Sequence, residues 1–166
     1  MTRLHLIPLA LLFGMIACNS SSDNQTNTTT DSSTTKMTDH SAMNNGMDLP
    51  AIPEGAKVYF GNLKDGQSVT SPVKVEFAVA NLSVDSAGMV KAGSGHHHLL
   101  VDAGDSTAMG LMVAKDSTHL HFGNAQKETT LKLKPGKHRL ALQFADGMHR
   151  SYGGRLANAI TIEVKK

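Results

Sequence analysis

Seven of the nine histidines lie beyond residue 50, and five of those seven fall into two short groups: His96, His97 and His98, then His119 and His121. In an extended strand, residues i and i+2 share a face about 6.7 Å apart. His96 with His98, and His119 with His121, are therefore two same-face pairs, and cross-strand neighbours stand only about 4.5–5.5 Å apart at Cβ. If the two strands are adjacent, three or four imidazoles reach one ion at nitrogen–metal distances of about 2.0–2.1 Å. Imidazoles without thiolate select Zn(II), Cu(II) or Ni(II) over calcium or magnesium, and copper or zinc is the expected cofactor. His149, in the loop after Phe144-Ala-Asp-Gly147, is an additional candidate ligand. The same rings also suit a second chemistry, a buried hydrogen-bonded network that is structural or senses protons.

Apolar neighbours say how these rings must be carried. With His119 and His121 on one face of a strand, Leu120 and Phe122 turn to the core; with His96 and His98 outward, His97, Leu99 and Val101 turn inward. The same period of two recurs along Val73, Val75, Phe77 and Val79, along Leu131 and Leu133, and along Leu140, Leu142 and Phe144. Turn signals at Lys64-Asp-Gly66, Ser71-Pro72, Ala103-Gly-Asp105, Pro135-Gly136 and Asp146-Gly147 separate the runs, and no long amphipathic helix is visible. Strands are expected over 57–60, 73–81, 97–102, 119–122, 128–133, 138–145 and 159–164. About seven short strands at this spacing predict an all-β fold, an immunoglobulin-like antiparallel sandwich. Leu131 to Leu140 is expected to form a hairpin cornered by Pro135-Gly136, and 83–95 a loop. His138, just after that corner, takes a structural part, bonding back to the backbone as a corner tyrosine does in such domains.

The first fifty residues have a different character. Arg3 followed by an apolar run from Leu4 to Ala17 has the layout of a secretion signal over 1–17, too short for a bilayer-spanning helix. Met15-Ile-Ala-Cys18 resembles a lipobox, so Cys18, the one cysteine of 166 residues, is the expected lipidation site and no internal disulfide can form. Asn19 favours the outer membrane, with the chain facing the periplasm of the cell envelope and its lipid chains as a stable membrane contact. Residues 18–50 are rich in Ser, Thr, Asn and Met and cannot offset their own ordering entropy, which makes them a flexible tether before one domain over 51–166. Within the tether Met37, His40, Met43 and Met47 are candidate copper ligands, Met being soft enough for Cu(I). The segment is similar to the Asp-His-Ser-x-Met repeats of periplasmic copper-resistance proteins, and an incidental scatter of Met in a polar linker stands beside that reading.

A net charge of +2, without a basic stripe or tryptophan, argues against a nucleic-acid partner. The histidines and Asp102 offer acid–base groups, but there is no nucleophile motif, no His-Glu-x-x-His, no Gly-rich phosphate loop and no carboxylate dyad, so no enzyme is expected. Gly95-His-His-His-Leu-Leu-Val-Asp102, His119-Leu-His-Phe-Gly-Asn-Ala-Gln126 and Pro135-Gly-Lys-His-Arg-Leu140 together resemble the bacterial family catalogued as domain of unknown function 4399. Phe60-Gly-Asn-Leu-Lys-Asp-Gly66 and Thr70-Ser-Pro-Val73 fit it too, so that the likeness spans most of 57–164. The resemblance implies an envelope-exposed all-β domain with a histidine-rich signature. The leading expectation is a lipid-anchored, non-enzymatic transition-metal binder with His96, His98, His119 and His121 as ligands. The alternative is an interaction module that presents loops to an envelope protein or a polysaccharide and uses its histidines structurally.

Overall fold

Val73, Val75 and Phe77 are buried while Lys74 between them is exposed, and Leu140, Leu142 and Phe144 are fully buried on one face of a strand whose other face, Ala141 and Gln143, is buried as well. Two such faces must cover each other, and they do so as two sheets forming a sandwich. A computed structural model describes residues 48–166. Cys18 and the tether residues Met37, His40, Met43 and Met47 lie outside the described residues. Among the described residues no helix is long and apolar enough to cross a membrane.

The strands are β1 (Lys57–Phe60), β2 (Ser68–Thr70), β3 (Val73–Ala80), β4 (Ser83–Val84), β5 (Ser94–Val101), β6 (His119–Phe122), β7 (Glu128–Leu131), β8 (Gly136–Ala145) and β9 (Ala157–Lys165), with a 3-10 turn over Gly153–Leu156. One sheet has the order β1-β3-β7. The other runs β2-β9-β8-β5-β4, with β6 also paired to β5. Between them lie Phe60, Val75 and Phe77 from the first sheet and Leu99, Leu142, Phe144 and Ile162 from the second. Each such side chain, fully buried, is worth roughly 1.5–3 kcal/mol.

The all-β sandwich agrees with the sequence reading, and three details correct it. Among the described residues nine strands replace seven, because β2 and β4 are short edge strands. These two pair in parallel with β9 and β5, so the sheet is not wholly antiparallel. The segment from Leu131 to Leu140 is not a hairpin: β7 pairs with β3 in one sheet and β8 with β5 and β9 in the other. Pro135-Gly136, with Gly136 at φ +134°, carries the chain across the sandwich. His138 meets its expected part there, its Nε2 lying 2.9 Å from the Lys134 carbonyl and its Nδ1 2.8 Å from Asp102 Oδ2.

His97 occupies the core. Its ring stands 5.2 Å from that of Phe77 and 5.3 Å from that of Phe144, and neither ring nitrogen has a hydrogen-bond partner. Leaving a buried polar group unpaired costs about 1–3 kcal/mol. His97→Leu is therefore expected to raise folding stability by about 1 kcal/mol, read from the denaturant midpoint.

Candidate metal centre

β5 and β6 are antiparallel neighbours with His98 directly opposite His121. On the far side β8 pairs with β5 in a register that sets His96 against Ala145 and His98 against Gln143. The two His-x-His stretches thus share one sheet, and His96, His98 and His121 project from its outer face.

That outer face is not left to solvent. Leu100, Val113, Ala141 and Ala145 form a second buried cluster on it. The small Ala141 and Ala145 leave room for residues 107–113 to lie across the strands. Gln143 fastens this cover: its Oε1 accepts from Thr107 N at 2.9 Å, and its Nε2 donates to the carbonyls of Phe144, Gly153 and Leu156. Residues 149–151 run beside the cover through Val113 N to His149 O at 2.9 Å and Ser151 N to Leu111 O at 2.8 Å.

The turn after β8 delivers His149. Asp146 is fully buried; its Oδ1 accepts from Met148 N and Arg150 N, and its Oδ2 takes Arg150 Nε and Nη2, each at 2.7 Å. Charge-assisted bonds of this kind hold a tight turn firmly. Within it His149 adopts φ +67°, a left-handed conformation uncommon for a side chain of its size, and its ring reaches the other three. A third segment closes the side: Ala87 N donates to Gly123 O at 2.9 Å and Gly88 N to Gly147 O at 2.7 Å.

Four imidazoles are consequently in mutual contact. His96 Nε2 lies 3.1 Å from His98 Nε2, and His121 Nε2 lies 3.1 Å from His149 Nε2. Ring centroids of His96 stand 5.1 Å from His121 and 4.9 Å from His149. His96, His121 and His149 offer nitrogens that all lie within 4.8 Å of one another, an arrangement compatible with a metal site. His98 is the fourth ring. The Nδ1 atoms of His96 and His98 are buried without a partner, and it is their Nε2 atoms that meet.

Burial, reinforced by the neighbouring rings of His149 and His121, lowers the His96 pKa to about 4; for His98 burial and the rings of His96, His121 and His149 lower it to about 2. His121 is lowered too, by burial first and then by His149 and Lys115. These rings are neutral at pH 7, and the neutral imidazole is the form that ligates.

His119 does not join them. β6 sets it opposite Leu100, and its Nδ1 bonds the Asp116 carboxylate at 3.0 and 3.1 Å. That contact, with the Thr118 hydroxyl, holds the Asp116 carboxyl well below the usual carboxylate range. Of the expected candidates, the structure brings His96, His98, His121 and His149 together, while the His119 ring is taken by Asp116.

Gly123 protects the geometry of His121. It follows two residues later on the same face, and a Cβ there would collide with the His121 Cε1 and Nε2 atoms. Gly123→Ala is expected to push that ring aside, with little change in the melting temperature, and a metal held by this cluster would then bind about 10–100-fold more weakly, the scale of losses from disturbed ligand orientation. Calorimetric titration of the variant checks this.

A family model with the description "Domain of unknown function (DUF4399)" matches residues 75–165, more than half of the chain and all four contacting histidines. No curated protein and no solved structure matches.

Proposed function

We propose, from the premise that this chain belongs to the domain of unknown function family DUF4399, that it is a non-enzymatic transition-metal binder of the cell envelope, anchored by lipid on Cys18. The observation that supports metal binding is the pair of 3.1 Å Nε2 contacts linking His96 to His98 and His121 to His149. Around a tetrahedral ion with bonds of about 2.05 Å, neighbouring ligand nitrogens lie about 3.3 Å apart, so each pair already has the spacing of a tetrahedron's edge. Copper or zinc suits an all-imidazole set, and burial favours the neutral form of His96, His98 and His121 without a metal's help.

The envelope location and the lipid rest on the signal-like segment 1–17 and Met15-Ile-Ala-Cys18. The competing reading takes the same 3.1 Å contacts as N–H···N hydrogen bonds inside an interaction module. One titration separates the two. The full chain, stripped with chelator and titrated with Zn(II) and Cu(II) by calorimetry, is expected to take up one equivalent with a dissociation constant below about 1 μM. Uptake that never saturates at a simple ratio, or that matches a chain lacking these rings, leaves the hydrogen-bonded module as the reading.

A further inference from the structure

Methionine is ordinarily among the more buried side chains. All four methionines of the described residues are exposed: Met89 at 76%, Met112 at 68%, Met148 at 59% and Met109 at 54%. Lone apolar residues on a surface need no explanation, but these are not scattered. Each sits on one of the three segments that wall the imidazole cluster, and those segments are stitched together by backbone contacts. Met89 follows Gly88, whose N–H bonds the Gly147 carbonyl at 2.7 Å, and a side chain at Gly147 would collide with the Met89 carbonyl. Met148 is the residue between that glycine and His149. Met112 pairs with Arg150, and the next residue, Val113, donates to the His149 carbonyl. Met89, Met112 and Met148, all exposed, thus lie on backbone joined to the 147–150 turn that carries His149, one of the two half-buried rings of the cluster. Met109 lies further along the cover, packed against Gly153.

Thioether sulfur is a soft donor that favours Cu(I) and has little affinity for Zn(II). We infer that Met89, Met112 and Met148 form an outer rim that captures Cu(I) and passes it to the imidazoles, which makes monovalent copper the cargo of the site. The inference rests on the metal-binding reading above and narrows its ion. The transfer is ligand exchange: sulfur–copper bonds are replaced by nitrogen–copper bonds, and no electron moves.

The full chain is offered Cu(I) from a coloured Cu(I) chelator under anaerobic, reducing conditions, and the rate of copper acquisition is followed by loss of the chelator's absorbance. Met89→Leu/Met112→Leu/Met148→Leu is expected to load about tenfold more slowly or worse, with unchanged Zn(II) affinity and unchanged melting temperature. Met109→Leu is expected to load like the parent. A triple variant as fast as the parent, or a Met109→Leu variant as slow as the triple, overturns the rim. If the parent binds Zn(II) normally and the thioethers make no difference, the rim alone falls. If the parent binds neither Zn(II) nor Cu(I), the imidazole site falls and takes the rim with it.

Discussion

Replacing His121 and His149 together by alanine is expected to weaken Zn(II) or Cu(II) binding about a thousandfold or more. Disturbing only the groups that orient a metal ligand costs 10–100-fold, and here two of the four proposed ligands vanish outright. The remaining pair, His96 and His98, spans a single edge of the coordination shell. Both removed rings are half-buried, on the last residues of β6 and in a surface turn, so the core between the sheets is untouched. The loss is visible in stability as well. An ion at 100 times its dissociation constant raises the parent's stability by about 2.7 kcal/mol, and the double variant lacks that increment. His119→Ala serves as the control, since its ring is bonded to Asp116, and is expected to leave affinity within about twofold. A double variant that binds as the parent does, with one equivalent at equal affinity, contradicts the proposed site.

Acidification of the metal-free chain is expected to remove most of its stability between pH 6.5 and 4. His96 and His97 have pKa values lowered to about 4 and His98 to about 2, in each case by burial first. In the unfolded chain each titrates near 6.5. Below that pH the unfolded state binds more protons than the folded one, so stability rises with pH in this window and falls as acid is added. It is fully present above the unfolded value and lost as pH drops toward the folded values. Three such groups give on the order of 4 kcal/mol per pH unit once well below 6.5, against a typical total of about 5–15 kcal/mol.

His138 works in the opposite sense. Burial disfavours its charged ring, but Asp102 and the Lys134 carbonyl outweigh that and raise its pKa, so its contribution is present at low pH and fades as pH rises through the folded value. One group does not offset three. A denaturant midpoint measured at half-unit steps of pH checks the trend, and a metal-loaded sample is expected to resist acid further because the ion competes with protons. A midpoint that stays flat from pH 7 to 4.5 contradicts the buried, neutral state of these rings.

The periodicity of two exposed the main strands and also which way the histidines face: His97, Leu99 and Phe122 turn to the core, and His96, His98 and His121 turn away from it. β2 and β4 were hidden for a physical reason. Three and two residues carry no readable alternation, and the parallel partner of β2 is remote in sequence. Pro135-Gly136 marks a reversal of the chain, but a hairpin and a crossing between sheets use the same turn residues, so the local signal did not name the partner strand. His119 obeys the face rule and still leaves the site, because Asp116, three residues earlier, takes its ring nitrogen. That Asp-x-x-His spacing was available as a warning. Gln143 was missed altogether; a polar residue on a strand facing Ala-sized neighbours was the sign that something would lie over it. His149 stood out only as a histidine in a loop. Its place depends on the Asp146–Arg150 clasp and a left-handed backbone, neither of which leaves a periodic trace.

The most direct test is a histidine-labelled nitrogen NMR titration of the full chain with Zn(II), which is diamagnetic and reports each ring separately. The expected result is that the Nε2 signals of His96, His98, His121 and His149 move together and stop at one equivalent, while those of His97, His119 and His138 stay in place. Saturating shifts confined to His119 and His138, or no saturable shift in the four, would contradict a shared ion.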